Sequence, residues 1–420
     1  MLVHPVIADA YATALGDAVS GESIDTGLPT AALNGSDLLR RFATVSDGRC
    51  AQGRDHPVAV VLTLCAAAVL AGMRSFTAIA GWVADVPAEV LAQLYCQPAA
   101  VFPSKTTLWR VLTGADAAAV DAAVGAWLVE RAAERAAEQA TPAAAGGRAT
   151  RHGPGLIAIA VDGKTVRGAV DAGGNQVHLL AAATHADSLV LGQVEVGAKS
   201  NEIPLFAPLL NSLAAAGVDL AAVVITADAL HTQRCHAEYL HSVGAEFVLT
   251  AKHNQPRLYA ALDALPWEST PIAAREVDTG HGRVTTRTIQ VLPAPADLPF
   301  PHVNQVWLIE RYVHDDAGTL VSAVAALGVT SLTTARATPA DIATLVREHW
   351  GIESLHWLRD TVYREDDSTA RTRSGPRVMA ALRNLAIGAI HLLGRRDITE
   401  TTRWATREMD RPFKILKLIS

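Results

Sequence analysis

The pattern of apolar positions divides the chain into an all-helical first third and a mixed α/β remainder. Apolar residues recur with helical spacing over 36–141, and Ser104 is placed to cap a helix at 102–114. Gly-Gly and Gly-Pro signals without periodicity at 142–155 predict a linker, and residues 1–35 before the helices are poorly patterned. We therefore predict a helical N-terminal domain. Lys105, Thr106, Thr107 and Arg110, over the first turns of the 102–114 helix, suit contacts with phosphates and bases of DNA, and the alternative is an ordinary capped surface helix.

Beyond the linker, short apolar runs rich in β-branched residues alternate with helical segments. LIAIAV at 156–161 and AAVVITA at 221–227 predict buried strands that each end in an aspartate, and GNQVHLLAAATH with SLVLGQVEVG, at 174–197, predicts a hairpin. Between about 267 and 332 the pattern is β throughout, which indicates a β-rich insertion. The expected fold class is α/β of the mixed α+β kind, with a mixed sheet and helices on its faces over 156–393.

One predicted helix, in the stretch 347–367, concentrates the residues able to do chemistry. Four of them follow one another at intervals of four, three and four residues: His349, Glu353, His356 and Asp360. At about 3.6 residues per turn they share one helical face. Trp350 and Trp357, seven residues apart, are expected to anchor an adjacent stripe on the core.

Composition limits the class of protein. The chain has 420 residues, 50% of them hydrophobic and 19% charged, which is typical of a globular protein of two or three domains. The longest apolar run, 58–73, is shorter than the roughly 20 residues that span a bilayer, and the N-terminus lacks a signal-peptide pattern. Four scattered cysteines indicate reduced core thiols and no zinc site. We expect a cytoplasmic protein with no membrane partner.

Charge is unevenly distributed. The net charge of −6 does not indicate a nucleic-acid binder, but residues 368–420 carry eleven Arg and Lys against four Asp and Glu. We therefore predict a helical, basic C-terminus that ends in a basic tail at 394–420. A basic region beside an acidic site is compatible with holding a polyanion over bound metal.

Three acids are placed to converge. Asp162 and Asp228 follow buried strands, where sites form in open sheets, and Glu353 lies on a later helix. An aspartate at a strand end is often only a turn former or a helix cap, and a glutamate on a helix is often only solvated. Three hard oxygen ligands without cysteine favour Mg²⁺, or Mn²⁺ as a substitute. Two such ions about 4 Å apart stabilise both the attacking and the leaving oxygen when a phosphodiester is cleaved or joined.

Longer motifs carry a family resemblance. VDGKTVRG at 161–168, TADALHTQ…FVLTAKHNQP at 226–256 and REHWGIESLHWLRDTVYREDDS…RTRSGPRVMAALRNLAIG at 347–388 resemble the H-repeat-associated transposases of bacterial insertion sequences. Those proteins belong to the DDE group, whose catalytic domain is RNase H-like. SDGRCAQGRDHP, LAGMRSFTAIAGW and FPSKTTLWRVL are similar to the helical domain that accompanies them. The resemblance implies that the three acids are catalytic and metal-binding, and that the β-rich stretch is the family's insertion.

The resemblance also implies a function and partners. It implies a DNA transposase that cuts element ends with two bound ions and transfers the strand to target DNA, as a homodimer at the nucleoid. The wider group has Tyr, Arg and Lys around the glutamate where this chain has Val346, His349 and Asp360, so those roles cannot be transferred. The candidates for DNA contact are Lys164, Lys252, Asn254, Gln255, Arg347, His356, Arg364, Lys105 and Arg110.

Two alternatives from other classes remain open. The first is a domesticated or inactive DNA-binding protein that retains the fold without catalysis. The second is a di-iron carboxylate enzyme, because Glu353-x-x-His356 and Glu238-x-x-His241 have the required helical spacing. That enzyme class needs a bundle of four long helices, whereas strands are expected between these segments.

Overall fold

The computed structural model describes residues 36–50, 54–95, 102–140, 155–170, 173–198, 200–280 and 282–419. The expected loose N-terminus at 1–35 and all but the last residue of the expected linker at 142–155 lie outside these ranges. Of the three described cysteines, Cys50 and Cys235 are exposed and only Cys65 is buried, and all three are free. The prediction of core thiols therefore holds for Cys65 alone.

The helical N-terminal region forms as its periodicity indicates. Its helices are α1 (Asp37–Ala43), α2 (Val58–Leu70), α3 (Phe76–Ala84), α4 (Ala88–Tyr95), α5 (Lys105–Gly114) and α6 (Ala117–Ala140). Every residue of α2 is buried, so the most apolar run is a central core helix. The cap predicted at Ser104 is confirmed, since its hydroxyl accepts a hydrogen bond from the Thr107 amide at 3.2 Å.

The strands of the remainder form a single mixed sheet. They are β1 (Ile157–Val170), β2 (Gln176–Thr184), β3 (Val190–Val196), β4 (Val223–Ala227), β5 (Glu246–Ala251), β6 (Ala274–Gly280), β7 (Arg283–Pro293), β8 (Gln305–Asp315) and β9 (Leu320–Thr330). Their order is β3-β2-β1-β4-β5-β9-β8-β7-β6. The β1–β4 and β4–β5 pairs are parallel and the other pairs are antiparallel.

The β-rich stretch extends this sheet and does not form a separate one. Strands β6 to β9 make an antiparallel meander whose last strand pairs with β5, from Val248 with Thr330 to Ala251 with Leu327. Packing at the junction is tight, because Trp307 is fully buried against Gly328, where an added Cβ would lie 2.0 Å from the indole. The predicted mixed α/β fold class is confirmed.

The later helices cover the sheet and join it to the N-terminal region. They are α7 (Phe206–Ala215), α8 (Arg234–Ser242), α9 (Pro256–Asp263), α10 (Pro339–Glu348), α11 (Gly351–Thr361), α12 (Gly375–Leu392), α13 (Ile398–Thr406) and α14 (Arg411–Ile415). Helix α12 is buried between the two regions and packs against α2 and α6.

The predicted basic tail folds back onto the N-terminal helices. The Thr406 hydroxyl donates to the Ala71 carbonyl at 2.7 Å, and Phe413 stacks on Trp82 with ring centroids 5.7 Å apart. Its basic residues therefore lie on and beside two short helices, α13 and α14, and not on a separate tail.

Among the residues that the structure describes, no single helix is long and apolar enough to cross a bilayer. Helices α5 and α6 together have the length and composition of a span, but the pair is bent by 90°.

Candidate active site

The parallel pairing of β1 with β4 brings the first two acids side by side. The ladder between these strands ends at Val161 and Ala227, so Asp162 and Asp228 follow adjacent partners. The expectation that the first strand ends at Asp162 is wrong, because β1 continues to Val170. Pairing with β2 continues past the point where β4 stops, so Asp162 lies in mid-strand at the sheet's switch from parallel to antiparallel pairing.

Asp228 is held by the loop that it opens. Its carboxylate accepts a hydrogen bond from the Leu230 amide at 2.9 Å, as a cap of the short 3₁₀ turn after β4. The Asn254 amide donates to the Ala229 carbonyl at 2.6 Å and ties the same loop to the end of β5. Asp228 therefore caps the turn after β4 and also lies beside Asp162 at the candidate site.

Glu353 comes from a helix that differs from the expected one. The single helix predicted over this stretch is two helices, α10 and α11, which are separated at His349 and Trp350. Glu353 lies in the first turn of α11 and is exposed.

The four polar side chains of the 347–367 stretch nevertheless lie near the same part of the sheet, where β1 and β4 are paired. His349 Nδ1 lies 3.0 Å from Thr226 Oγ1, beside the end of β4. The His356 ring lies 3.6 Å from the Asp162 carboxylate, and Lys164 donates to Asp360 at 2.6 Å. Glu353 is near enough to Asp162 to affect its titration.

The electrostatics of Asp162 report that negative charges converge. Burial, with smaller contributions from the negative charges of Glu202, Asp228 and Glu353, raises the pKa of Asp162 to about 7, against one backbone hydrogen bond from Gly163 that lowers it. Three further carboxylates therefore lie close enough to Asp162 to act on its pKa. A cation bound beside Asp162 would relieve this repulsion.

The two histidines of the 347–367 stretch are neutral near pH 7. Burial lowers the pKa of His349 to about 4. Burial also lowers the pKa of His356 to about 3, and the positive charges of Arg359 and Lys164 add to that effect. At 3.6 Å from Asp162, His356 is therefore a polar neighbour of the carboxylate and not an ion-pair partner.

Sequence reasoning missed a carboxylate and two histidines next to these acids. Glu202, between β3 and α7, accepts hydrogen bonds from His178 at 2.7 Å and from His231 at 2.9 Å. Burial alone would raise the pKa of Glu202, but these two hydrogen bonds outweigh it and lower the pKa to about 2. No spacing in the sequence relates the three residues, because strand order alone brings them together.

The residues predicted to contact DNA divide into exposed and engaged side chains. Lys252, Lys105 and Arg110 are exposed. Arg347 and Arg364 are exposed but form ion pairs, with Glu276 and Asp367 respectively. These five stay predictions.

The other predicted DNA contacts already have partners inside the protein. The Lys164 side chain is only 7% exposed and is bonded to Asp360, so it holds α11 against β1. Asn254 stabilises the Asp228 loop, and Gln255 donates to Gln233 at 3.0 Å. His356 lies beside Asp162.

The two tryptophans are not the core anchors that their spacing predicts. Trp350 is 56% exposed and Trp357 is 63% exposed. They lie three residues before and four residues after Glu353, so they flank it on the solvent side of α11. The guanidinium of Arg311 on β8 lies 5.8 Å from the ring centre of Trp350.

Across the described part of the chain, no group of three or more His, Cys, Asp or Glu side chains surrounds a common point closely enough to hold a metal ion as it stands. The donor chemistry of Asp162, Asp228 and Glu353 still fits a hard divalent cation, because their negative charges converge.

Comparison with known proteins identifies the family. Residues 39–128 match the model of a DDE_Tnp_1-associated domain, and residues 153–388, more than half of the chain, match the model of a transposase DDE domain. "Putative transposase YncI" of Escherichia coli O157:H7 is 30% identical over 252 residues, covering 55% of this chain and 61% of the relative. "H repeat-associated putative transposase YhhI" of Escherichia coli (strain K12) is 28% identical over 248 residues, covering 55% and 63%.

The matches differ in how much of each chain they cover. The chain spans about three fifths of the length of the curated relatives that it matches. A piggyBac transposase synaptic complex with hairpin DNA aligns over 63% of this chain and 53% of that one, but a TM-score of 0.34 at 11% identity carries no argument. The model of the transposase DDE domain matches more than half of the chain. The chain therefore belongs to the family of DDE transposases related to the H-repeat-associated proteins.

Proposed function

We propose that the protein is a DNA transposase that hydrolyses a phosphodiester at each end of a mobile element and transfers the freed 3′ end to target DNA. The observation that carries the proposal is the register of the parallel strands, which sets Asp162 beside Asp228, with Glu353 facing them from α11. The family supplies the transposase class, and the arrangement of the acids supports the chemistry.

Asp162, Asp228 and Glu353 would hold the divalent ions, which are Mg²⁺ or, as a substitute, Mn²⁺. The family implies use of a divalent metal in general, and the choice of ion and the number of two are part of the proposal. When bound, such ions lower the pKa of a ligated water and stabilise charge on the attacking and leaving oxygens.

The rest of the chain positions these three acids. Lys164 and Asp360 join β1 to α11, and Thr226 joins the end of β4 to His349, so Glu353 is held opposite the strand ends. His356, neutral near pH 7, lies 3.6 Å from the Asp162 carboxylate and does not neutralise its charge.

Neither of the two reaction steps requires a covalent bond between DNA and the enzyme. In the first, water oxygen bonds to phosphorus and the P–O bond to the element's 3′ oxygen breaks, which leaves a 3′-hydroxyl and a 5′-phosphate. In the second, that 3′ oxygen attacks a target phosphodiester and displaces a target 3′ oxygen, which takes up the proton. The proposed partners are therefore double-stranded element ends and target DNA in the nucleoid, and two ends call for at least a homodimer.

The test is metal-dependent cutting by a matched pair of variants. Asp228→Asn is compared with Asp219→Asn, because Asp219 also caps a 3₁₀ turn through its side chain, 3.0 Å from the Ala221 amide, but lies before β4 and is exposed. Labelled DNA carrying the element ends is incubated with Mg²⁺, Mn²⁺ or EDTA. We expect nicking in both metals for wild type and Asp219→Asn, and none for Asp228→Asn or in EDTA.

Other outcomes would decide against the proposal. Full nicking by Asp228→Asn would remove the second acid from the site. Binding of the ends by wild type without nicking in either metal would favour the non-catalytic DNA-binding protein.

A further inference from the structure

Glu202 is a partly buried carboxylate that forms hydrogen bonds with two imidazoles. It lies just before the 3₁₀ turn Ile203–Leu205, and its side chain is 14% exposed. His178 Nε2 contacts one carboxylate oxygen at 2.7 Å and His231 Nε2 contacts the other at 2.9 Å. Because an ionised carboxylate can only accept, both imidazoles donate from Nε2.

The two histidines that bind Glu202, His178 and His231, are themselves held in place by neighbouring groups. Thr165 Oγ1 lies 2.8 Å from His178 Nδ1, which sets the orientation of that ring. His231 is fully buried and packs on Phe206 with ring centroids 5.4 Å apart. The ring nitrogens of His236 lie 2.9 and 3.0 Å from the carbonyl oxygens of His231 and Ile203. The loop after Asp228 and the turn after Glu202 are thus tied together.

The carboxylate of Glu202 faces the backbone next to Asp162. A Cβ placed on Gly163 would lie 2.2 Å from one Glu202 oxygen and 2.8 Å from the other. Only glycine at position 163 allows this approach. Among the neighbouring carboxylates that raise the pKa of Asp162, Glu202 has the largest effect.

We infer that Glu202 is a positioning residue of the acid site, a fixed negative charge that strengthens the binding of a divalent cation by Asp162, Asp228 and Glu353. The inference rests on the proposed function. The negative charge of Glu202 adds to the attraction that the three acids exert on the cation. The hydrogen bonds from His178 and His231 keep the Glu202 carboxylate in place. Partners of this kind, one step removed from the metal ligands, typically contribute about 10- to 100-fold to metal affinity.

The experiment is a titration of the purified full chain with Mn²⁺, followed by electron paramagnetic resonance of the free ion. Glu202→Gln keeps the size of the side chain and removes its charge. Glu195→Gln is the matched control, since Glu195 lies on the neighbouring strand β3 and is exposed. We expect about 10-fold weaker Mn²⁺ binding by Glu202→Gln than by Glu195→Gln. Equal Mn²⁺ affinity of the two variants would overturn the inference.

A second variant keeps the inference testable if Glu202→Gln does not fold. Gly163→Ala leaves every charge in place but forces the Glu202 carboxylate away from Asp162. Weakened Mn²⁺ binding by this variant supports the inference, and wild-type affinity overturns it.

Failure of the inference and failure of the proposed function give different results. If wild type binds Mn²⁺, Asp162→Asn does not, and Glu202→Gln matches wild type, only the role of Glu202 is lost. If wild type itself binds no Mn²⁺, the metal-dependent function and this inference fall together.

Discussion

Replacing Glu365 with glutamine should strongly destabilise the fold, because this carboxylate holds two buried arginines together. Glu365 accepts from Arg359 on α11 at 2.7 Å and from Arg383 on α12 at 2.8 Å. All three side chains are at most 1% exposed. Glutamine would leave two buried guanidinium groups facing each other without a counter-charge.

The magnitude follows from the structure in two ways. Burial would raise the pKa of Glu365, but the charges of Arg359 and Arg383 outweigh it and lower the pKa to about 2, from an ordinary 4.5. At about 1.4 kcal/mol per pKa unit, that difference corresponds to about 3 kcal/mol of folding free energy. Removing one partner of a buried ion pair independently costs about 3 to 5 kcal/mol.

The assay is urea unfolding at pH 7, followed by tryptophan fluorescence. We expect Glu365→Gln to lose about 3 kcal/mol, and the surface control Glu408→Gln, which removes a pair with Arg411, to lose less than about 1 kcal/mol. Because the folded pKa of Glu365 lies below the unfolded one, its contribution is present above pH 4.5 and is lost as the pH falls towards 2. A loss below about 1 kcal/mol in Glu365→Gln would refute the reasoning.

Two further changes test packing and surface. Gly328→Ala should destabilise the junction of β5, β8 and β9 by at least about 1–3 kcal/mol in thermal unfolding, since the new methyl would overlap Trp307; an unchanged midpoint would contradict this packing. Trp357→Ala should weaken binding of the element ends about 10-fold and Trp357→Phe should retain it, because an exposed ring beside Glu353 can stack on a base; equal affinities in a fluorescence-anisotropy titration would exclude this contact.

Local signals predicted most of the elements and the three acids of the candidate site. The cap at Ser104, the hairpin of β2 and β3, and the buried strands β1 and β4 each follow from side chains close together in sequence. Asp162 and Asp228 were accessible to sequence reasoning because parallel strands bring the residues at their ends to one edge of a sheet.

Features that depend on long-range pairing were not accessible. The continuation of β1 past Asp162 depends on its ladder with β2, and the apolar run gives no sign of it. Helical spacing shows that Trp350 and Trp357 share a face but not whether that face is buried, and in this fold it is exposed. Glu202 stands alone between elements, so only strand order reveals its neighbours.

The position of Glu353 shows how stability and site geometry are joined in this fold. An exposed glutamate in the first turn of a helix has few contacts of its own, so its place is set by the rest of α11. That helix is tied to the site strand through Asp360 and Lys164, and to the buried core through Arg359 and Glu365. Both links start from α11 on the C-terminal side of Glu353, at Arg359 and Asp360, about two turns of helix further on. Weakening either link should therefore move the third acid before it unfolds the sheet that carries the other two.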